Sequence, residues 1–168
     1  MKTLEKGMAA PDFTLKSPSG VIFNLKQALA TGPAVVVFLP DAHNQDAQYV
    51  VDNFRDDLNE FKALRATVVP IVKASEEEVS TLQKEHELPF PVFPNPDASV
   101  FRKYGAMDGF LVKKPKKYAC VVNPEGIITK AFRSVDANKL SRQSLYALRD
   151  QMGRSALKKQ TVEVQGQK

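Results

Sequence analysis

A chain of 168 residues, 43% hydrophobic and 26% charged, can bury a core without disulfides or metals as staples and reads as one domain. Its single cysteine, Cys120, excludes an intramolecular disulfide framework, and no apolar run reaches the length needed to span a bilayer, so no membrane partner is expected. The net charge of +5 is moderately basic, with lysines grouped at Lys113, Lys114, Lys116 and Lys117 and at Lys158 and Lys159. Such runs attract nucleic acid or other polyanions, but no arginines interleave with aromatic residues as single-strand binding needs. They read first as a solvated loop and a helix end.

Met1 to Pro11 lacks the apolar segment of a secretory signal, which makes the cytoplasm the expected location. Phe13–Leu15 and Val21–Phe23 alternate around the turn signal Ser17-Pro18-Ser19-Gly20 and predict an N-terminal β-hairpin. Leu25–Ala30 predicts a short helix. Ala34–Leu39 is apolar without interruption, the mark of a strand covered on both faces. From Asp46 a long helix is predicted to about Leu64, with Val50, Phe54, Leu58, Phe61 and Leu64 or Val51 on one face and Asp52, Arg55, Asp56, Asn59 and Lys62 on the other. Thr67–Val72 predicts a second buried strand. Ser75 then caps a helix whose first turn is Glu76, Glu77 and Glu78.

Prolines keep Leu88-Pro89-Phe90-Pro91-Val92 out of helix and central sheet. Ala98–Tyr104 fits a short helix ended by Gly105. Tyr118–Val122 and Ile127–Phe132 flank Asn123-Pro124-Glu125-Gly126 as a second hairpin. A last helix starts at Asn138 or Ser141 and runs to about Lys159, with Leu140, Leu145, Leu148, Met152 and Leu157 on one face. The order predicts an α/β domain over 1–160, a mixed sheet with helices on both faces, and a polar tail over 161–168.

The junction of the first buried strand with the long helix carries the most chemistry. Free amides at a helix N-terminus stabilise a thiolate or another anion, yet position 47 is alanine. Cys120 lies in an apolar strand and alternates with Lys117 and Ala119, so it is expected to face away from that junction as a buried, inert thiol. His43 with Asp41 and Asp46 lacks a fourth ligand, and His86 lacks a partner at helical spacing, so both histidines read as solvated and no metal is expected. No phosphate loop and no serine–histidine–acid arrangement is present, and no cofactor is expected.

Ala10-Pro11-Asp12-Phe13-Thr14-Leu15, Gly20 with Leu25, Val35–Pro40, Leu88–Val92, Tyr104-Gly105 and Val121–Gly126, in this order and spacing, resemble the peroxiredoxins of the alkyl hydroperoxide reductase and thiol-specific antioxidant (AhpC/TSA) family. The likeness spans about Leu4 to Leu157 and looks most like the bacterioferritin-comigratory or plant Q-type branch. It implies a thioredoxin-like fold and an antioxidant redox site made of proline, threonine, peroxidatic cysteine and arginine. Carried over, Pro40 matches, Asn44 stands at the threonine, Ala47 at the cysteine and Lys117 at the arginine. Asp52 stands where the branch can place a resolving cysteine.

The resemblance therefore implies a peroxiredoxin-like protein with a degenerate site, a pseudoenzyme that binds a partner protein or a small anionic ligand at Pro40, Asn44, Ala47 and Lys117. It also implies self-association as a homodimer or larger oligomer. The alternative is a thiol peroxidase, either an engineered form in which Ala47 replaces a native cysteine or one that uses Cys120. Asn44 and Lys117 are also off-pattern, which favours natural loss. A third reading takes the lysine loop as a polyanion-binding module.

Overall fold

A computed structural model describes residues 2–166 of the chain, with side-chain surroundings through residue 160. Its centre is strand β3 (Ala34–Leu39), every residue of which is buried. An uninterrupted apolar run that is buried on both faces can satisfy its backbone only between two neighbours, and β3 has them. It pairs in parallel with β4 (Thr67–Val72) and antiparallel with β8 (Tyr118–Val122). The two-residue strand β5 (Phe93–Pro94) closes one edge and β9 (Ile128–Phe132) the other, in the order β5-β4-β3-β8-β9. The expected mixed sheet is present.

Period-two alternation divides β3 between two cores. Val35, Val37 and Leu39 pack with α2 (Gln45–Asp56), α3 (Leu58–Ala63), α4 (Glu76–Glu85) and α6 (Ala137–Gly166). Ala34, Val36 and Phe38 pack with α1 (Leu25–Leu29), α5 (Ser99–Tyr104) and the N-terminal hairpin of β1 (Thr14–Lys16) and β2 (Ile22–Asn24). Phe38 is the hub of the second core, with ring centroids 5.1 Å from Phe101, 5.1 Å from Tyr104 and 5.7 Å from Tyr118. Helices thus cover both faces. Among the described residues, no helix is long and apolar enough to cross a membrane.

Three expectations need correction. The single helix over 46–64 is broken at Asp57, which leaves helical geometry (φ −95°, ψ 3°) between α2 and α3. Its carboxylate accepts a bond from Ser141 Oγ at 2.8 Å, a contact from α6 that no local periodicity reveals. The last helix begins at Ala137 and its backbone continues to Gly166, past the expected end at Lys159. The expected polar tail over 161–168 is therefore helical backbone as far as Gly166, and its last two residues lie outside the described residues. A small hairpin of β6 (Met107–Asp108) and β7 (Lys114–Pro115) precedes β8 where only a solvated loop was expected.

The Ser75 cap is present as a full capping box, Glu78 N–H donating to Ser75 Oγ and Ser75 N–H to the Glu78 carboxylate. Gly105 ends α5 at φ 63°, and an added Cβ would lie 2.2 Å from the Lys2 carbonyl oxygen, so the N-terminal segment can dock only against glycine there. Removing the Phe38 ring empties the centre of the second core. Phe38→Ala should lower unfolding free energy by about 3–5 kcal/mol in urea denaturation. An effect below about 1 kcal/mol would mean that the ring is not the hub described.

Candidate functional site

The junction between β3 and α2 is built locally. β3 ends at Leu39, Pro40 turns the chain out of the sheet, and Asp41 gathers the loop by accepting from the amides of His43 and Asn44. Asn44 is the N-cap of α2, its side-chain oxygen accepting from the Ala47 amide at 2.8 Å. An asparagine in that place satisfies one of the orphan donors of the first turn. The donor best placed to meet an anion at position 47 is therefore already occupied.

The cation expected at this site is also engaged. Lys117, just before β8, puts its Nζ 3.0 Å from the Asp46 carboxylate in the first turn of α2. Asp46 at a helix N-terminus is favoured by the dipole and in turn attracts the lysine. Lys117 is thus brought to the first turn of α2, beside the loop that Pro40 opens and Asn44 caps, and Ala47 is buried in the same core as Val37 and Ala119 on the α2 side of the sheet. This corner is electrostatically self-contained: the carboxylate of Asp46 stands where a ligand anion would meet Lys117.

His43 is solvated as expected, its side chain 68% exposed, though it has a partner; His86, only 17% exposed, corrects the expectation. His43 Nε2 lies 2.6 Å from Glu78, whose carboxyl is held below the usual carboxylate range, first by the Ser75 amide and then by His43. His86, at the end of α4, puts Nδ1 2.7 Å from Asp52, and Arg55 reaches both the Asp52 carboxylate at 3.3 Å and the His86 carbonyl at 2.6 Å. This half-buried cluster ties α2 to α4. Sequence reasoning missed it because His86 is 34 residues from Asp52; only the Asp52–Arg55 spacing was visible locally. Among the described residues no three His, Cys, Asp or Glu side chains gather as a metal site. Asp41, Asp46 and His43 each face different partners.

Cys120 lies on the opposite side of the sheet. It pairs with Val36 across β3–β8 and is fully buried with Phe38, Tyr104 and Tyr118, whereas Ala47 belongs to the core on the other face. Burial pushes the thiol up to about 12 from an ordinary value of 9.0. A thiolate there is strongly disfavoured, so the group is neither exposed nor activated.

A thiol whose folded pKa is raised keeps its full stabilising effect below the unfolded value and loses it as pH rises through the folded one. Stability should therefore fall as pH climbs from 9.0 toward about 12. Burial also raises the Tyr104 and Tyr118 hydroxyls, and these remain in a Cys120→Ala variant. The difference between the two denaturation series isolates the thiol. The variant should show the shallower decline, and parallel curves would contradict the buried-thiol assignment.

Residues 7–131 match the family described as AhpC/TSA. A chloroplastic peroxiredoxin Q of Sedum lineare is 26% identical over 129 residues, covering 77% of this chain and 69% of that protein. A candidate peroxiredoxin of Mycobacterium tuberculosis is 31% identical over 140 residues, covering 80% of this chain and 88% of that one. In three dimensions, the crystal structure of a Mycobacterium tuberculosis peroxidoxin superposes with a TM-score of 0.81 at 23% identity, covering 88% of this chain and 97% of that one. The Xanthomonas campestris bacterioferritin comigratory protein follows at 0.78 and 21%, covering 90% and 99%. The fold is thioredoxin-like, and the chain belongs to the AhpC/TSA family.

Proposed function

We propose that this chain is a non-catalytic, peroxiredoxin-like member of the AhpC/TSA family that acts by binding. The carrying observation is the absence of sulfur at the mouth of α2: position 47 is alanine, and Cys120 is sealed in the opposite core. Peroxide reduction by the family chemistry needs a thiolate that attacks an O–O bond, and no other side chain at this corner is a comparable nucleophile. The engaged Asn44 and the Lys117–Asp46 pair support the same reading, because two groups that would hold a peroxide instead hold the protein. In this reading the protein works in the cytoplasm as a homo-oligomer. The corner at Pro40, Asn44, Ala47 and Lys117 meets a partner protein or a small anion that displaces Asp46 from Lys117.

The rival reading is a thiol peroxidase in which Ala47 replaces a native cysteine, and membership of the family favours it. Hydrogen peroxide consumption with thioredoxin or dithiothreitol separates the two. The purified chain should show no turnover above the uncatalysed rate. Ala47→Cys alone should stay roughly 100-fold below the combined Asn44→Thr, Ala47→Cys and Lys117→Arg variant, since an unsupported transition state typically loses that much. Full activity from Ala47→Cys alone would establish the rival.

Anion binding at the corner has its own readout. Small carboxylates and oxyanions should raise the melting temperature more in Asp46→Asn, where Lys117 is released, than in the unmodified chain, and not at all in Lys117→Met. Equal shifts in all three would remove the corner as the anion site.

A further inference from the structure

The β6–β7 hairpin ends in a feature that the corner at α2 does not use. Phe110, Leu111 and Val112 are 90%, 88% and 72% exposed, the three highest values for any large apolar side chain among the described residues. The base of the hairpin is firm. Met107 pairs with Pro115 and Asp108 with Lys114, the Lys116 amide donates to the Ala106 carbonyl at 3.0 Å, and Ala106 is fully buried. The turn is specified too: Gly109 sits at φ 118°, and an added Cβ would lie 2.2 Å from the Val112 carbonyl oxygen. A built turn thus presents three consecutive apolar side chains to water.

Charge is concentrated around this tip. Residues 102–117 hold six basic side chains and one carboxylate, Asp108, whereas the rest of the chain holds 18 of each sign. The whole net charge of +5 therefore belongs to this one segment. Lys113, Lys114 and Lys116 follow the apolar tip directly, and only Lys117 of the group is paired with a carboxylate on α2.

We infer that the 109–116 loop is a peripheral membrane-docking element, inserting Phe110, Leu111 and Val112 among the acyl chains of an anionic bilayer while Lys113, Lys114 and Lys116 meet its headgroups. An apolar wedge backed by lysines is the complement of a surface that is negative outside and hydrocarbon beneath. A second copy of the chain fits badly, because it would bring two lysine clusters together. Nucleic acid fits badly as well, since leucine and valine cannot stack on bases. Three apolar side chains also fall far short of the roughly 20–30 residues that each partner brings to a stable protein–protein interface. The expectation of no membrane partner rested on span length alone, which a docking loop does not need.

The chain contains no tryptophan, so Phe110→Trp supplies a unique reporter at an exposed site. Vesicles of equal phosphatidylglycerol and phosphatidylcholine should shift its emission to the blue and shield it from iodide; pure phosphatidylcholine should do neither. Co-sedimentation of the unmodified chain with the anionic vesicles should weaken with salt and by roughly fivefold for each of Lys113→Glu and Lys114→Glu. It should be lost in Phe110→Ser with Leu111→Ser, while the circular dichroism melting curve stays unchanged. Four results would overturn the inference: unshifted emission with anionic vesicles, a shift that grows with protein concentration without lipid, binding of RNA or polyphosphate in preference to the vesicles, or sedimentation that survives the double serine variant. None of these variants touches residues 40–47 or Lys117, so the outcome is independent of the function proposed for that corner.

Discussion

Side-chain alternation along β3 and β8 is the constraint on which the rest depends. Because successive residues of a strand face opposite sides, Val37 and Ala119 look toward α2 and Ala47, while Val36 and Cys120 look toward the aromatic core around Phe38. Both faces are covered by helices, so neither side chain can cross. The one sulfur nucleophile in the chain and the one helix mouth that would activate it are therefore on opposite sides of a close-packed sheet. No rotamer change or loop movement brings them together, because the separation is set by register rather than by distance alone.

The second constraint is electrostatic and local. A helix N-terminus with unoccupied amides is an anion site; α2 has its own occupants. Asn44 takes the Ala47 amide, and Asp46 takes Lys117. Both contacts join residues that would otherwise face a ligand, and both favour a corner that is stable without one. Binding there must compete with partners already in place. A protein surface that carries its own acidic and amide groups does this more readily than a dilute small anion. The Asp52–His86–Arg55 cluster acts in a similar way farther along α2, joining that helix to the end of α4 through an ion pair and hydrogen bonds.

Much of the fold was legible because its signals are short-range. The apolar run of Ala34–Leu39, the Ser75 capping box, the turn at Asn123–Gly126 and the glycine stop at Gly105 each require only a few neighbouring residues to recognise. The same holds for half of the corner: Pro40, Asn44 and Ala47 lie on one strand–loop–helix segment. What escaped depends on distant partners. The break at Asp57 answers Ser141, the His86 pairing answers Asp52, and the neutralisation of Lys117 answers Asp46, 71 residues away. The apolar tip at Phe110–Val112 escaped for a different reason. Three apolar residues in a lysine-rich stretch carry no periodicity, and only the hairpin around them reveals that they point outward.

The reading of this chain as a binding protein turns on whether Cys120 ever meets an oxidant. Native protein treated with hydrogen peroxide and then alkylated, followed by peptide mass mapping, asks this directly. An unalkylated, unoxidised Cys120 under native conditions, with full alkylation once the chain is unfolded, is the expected result. Alkylation of the native thiol that peroxide suppresses and a dithiol restores would contradict it, because only an accessible, reversibly oxidised sulfur behaves that way.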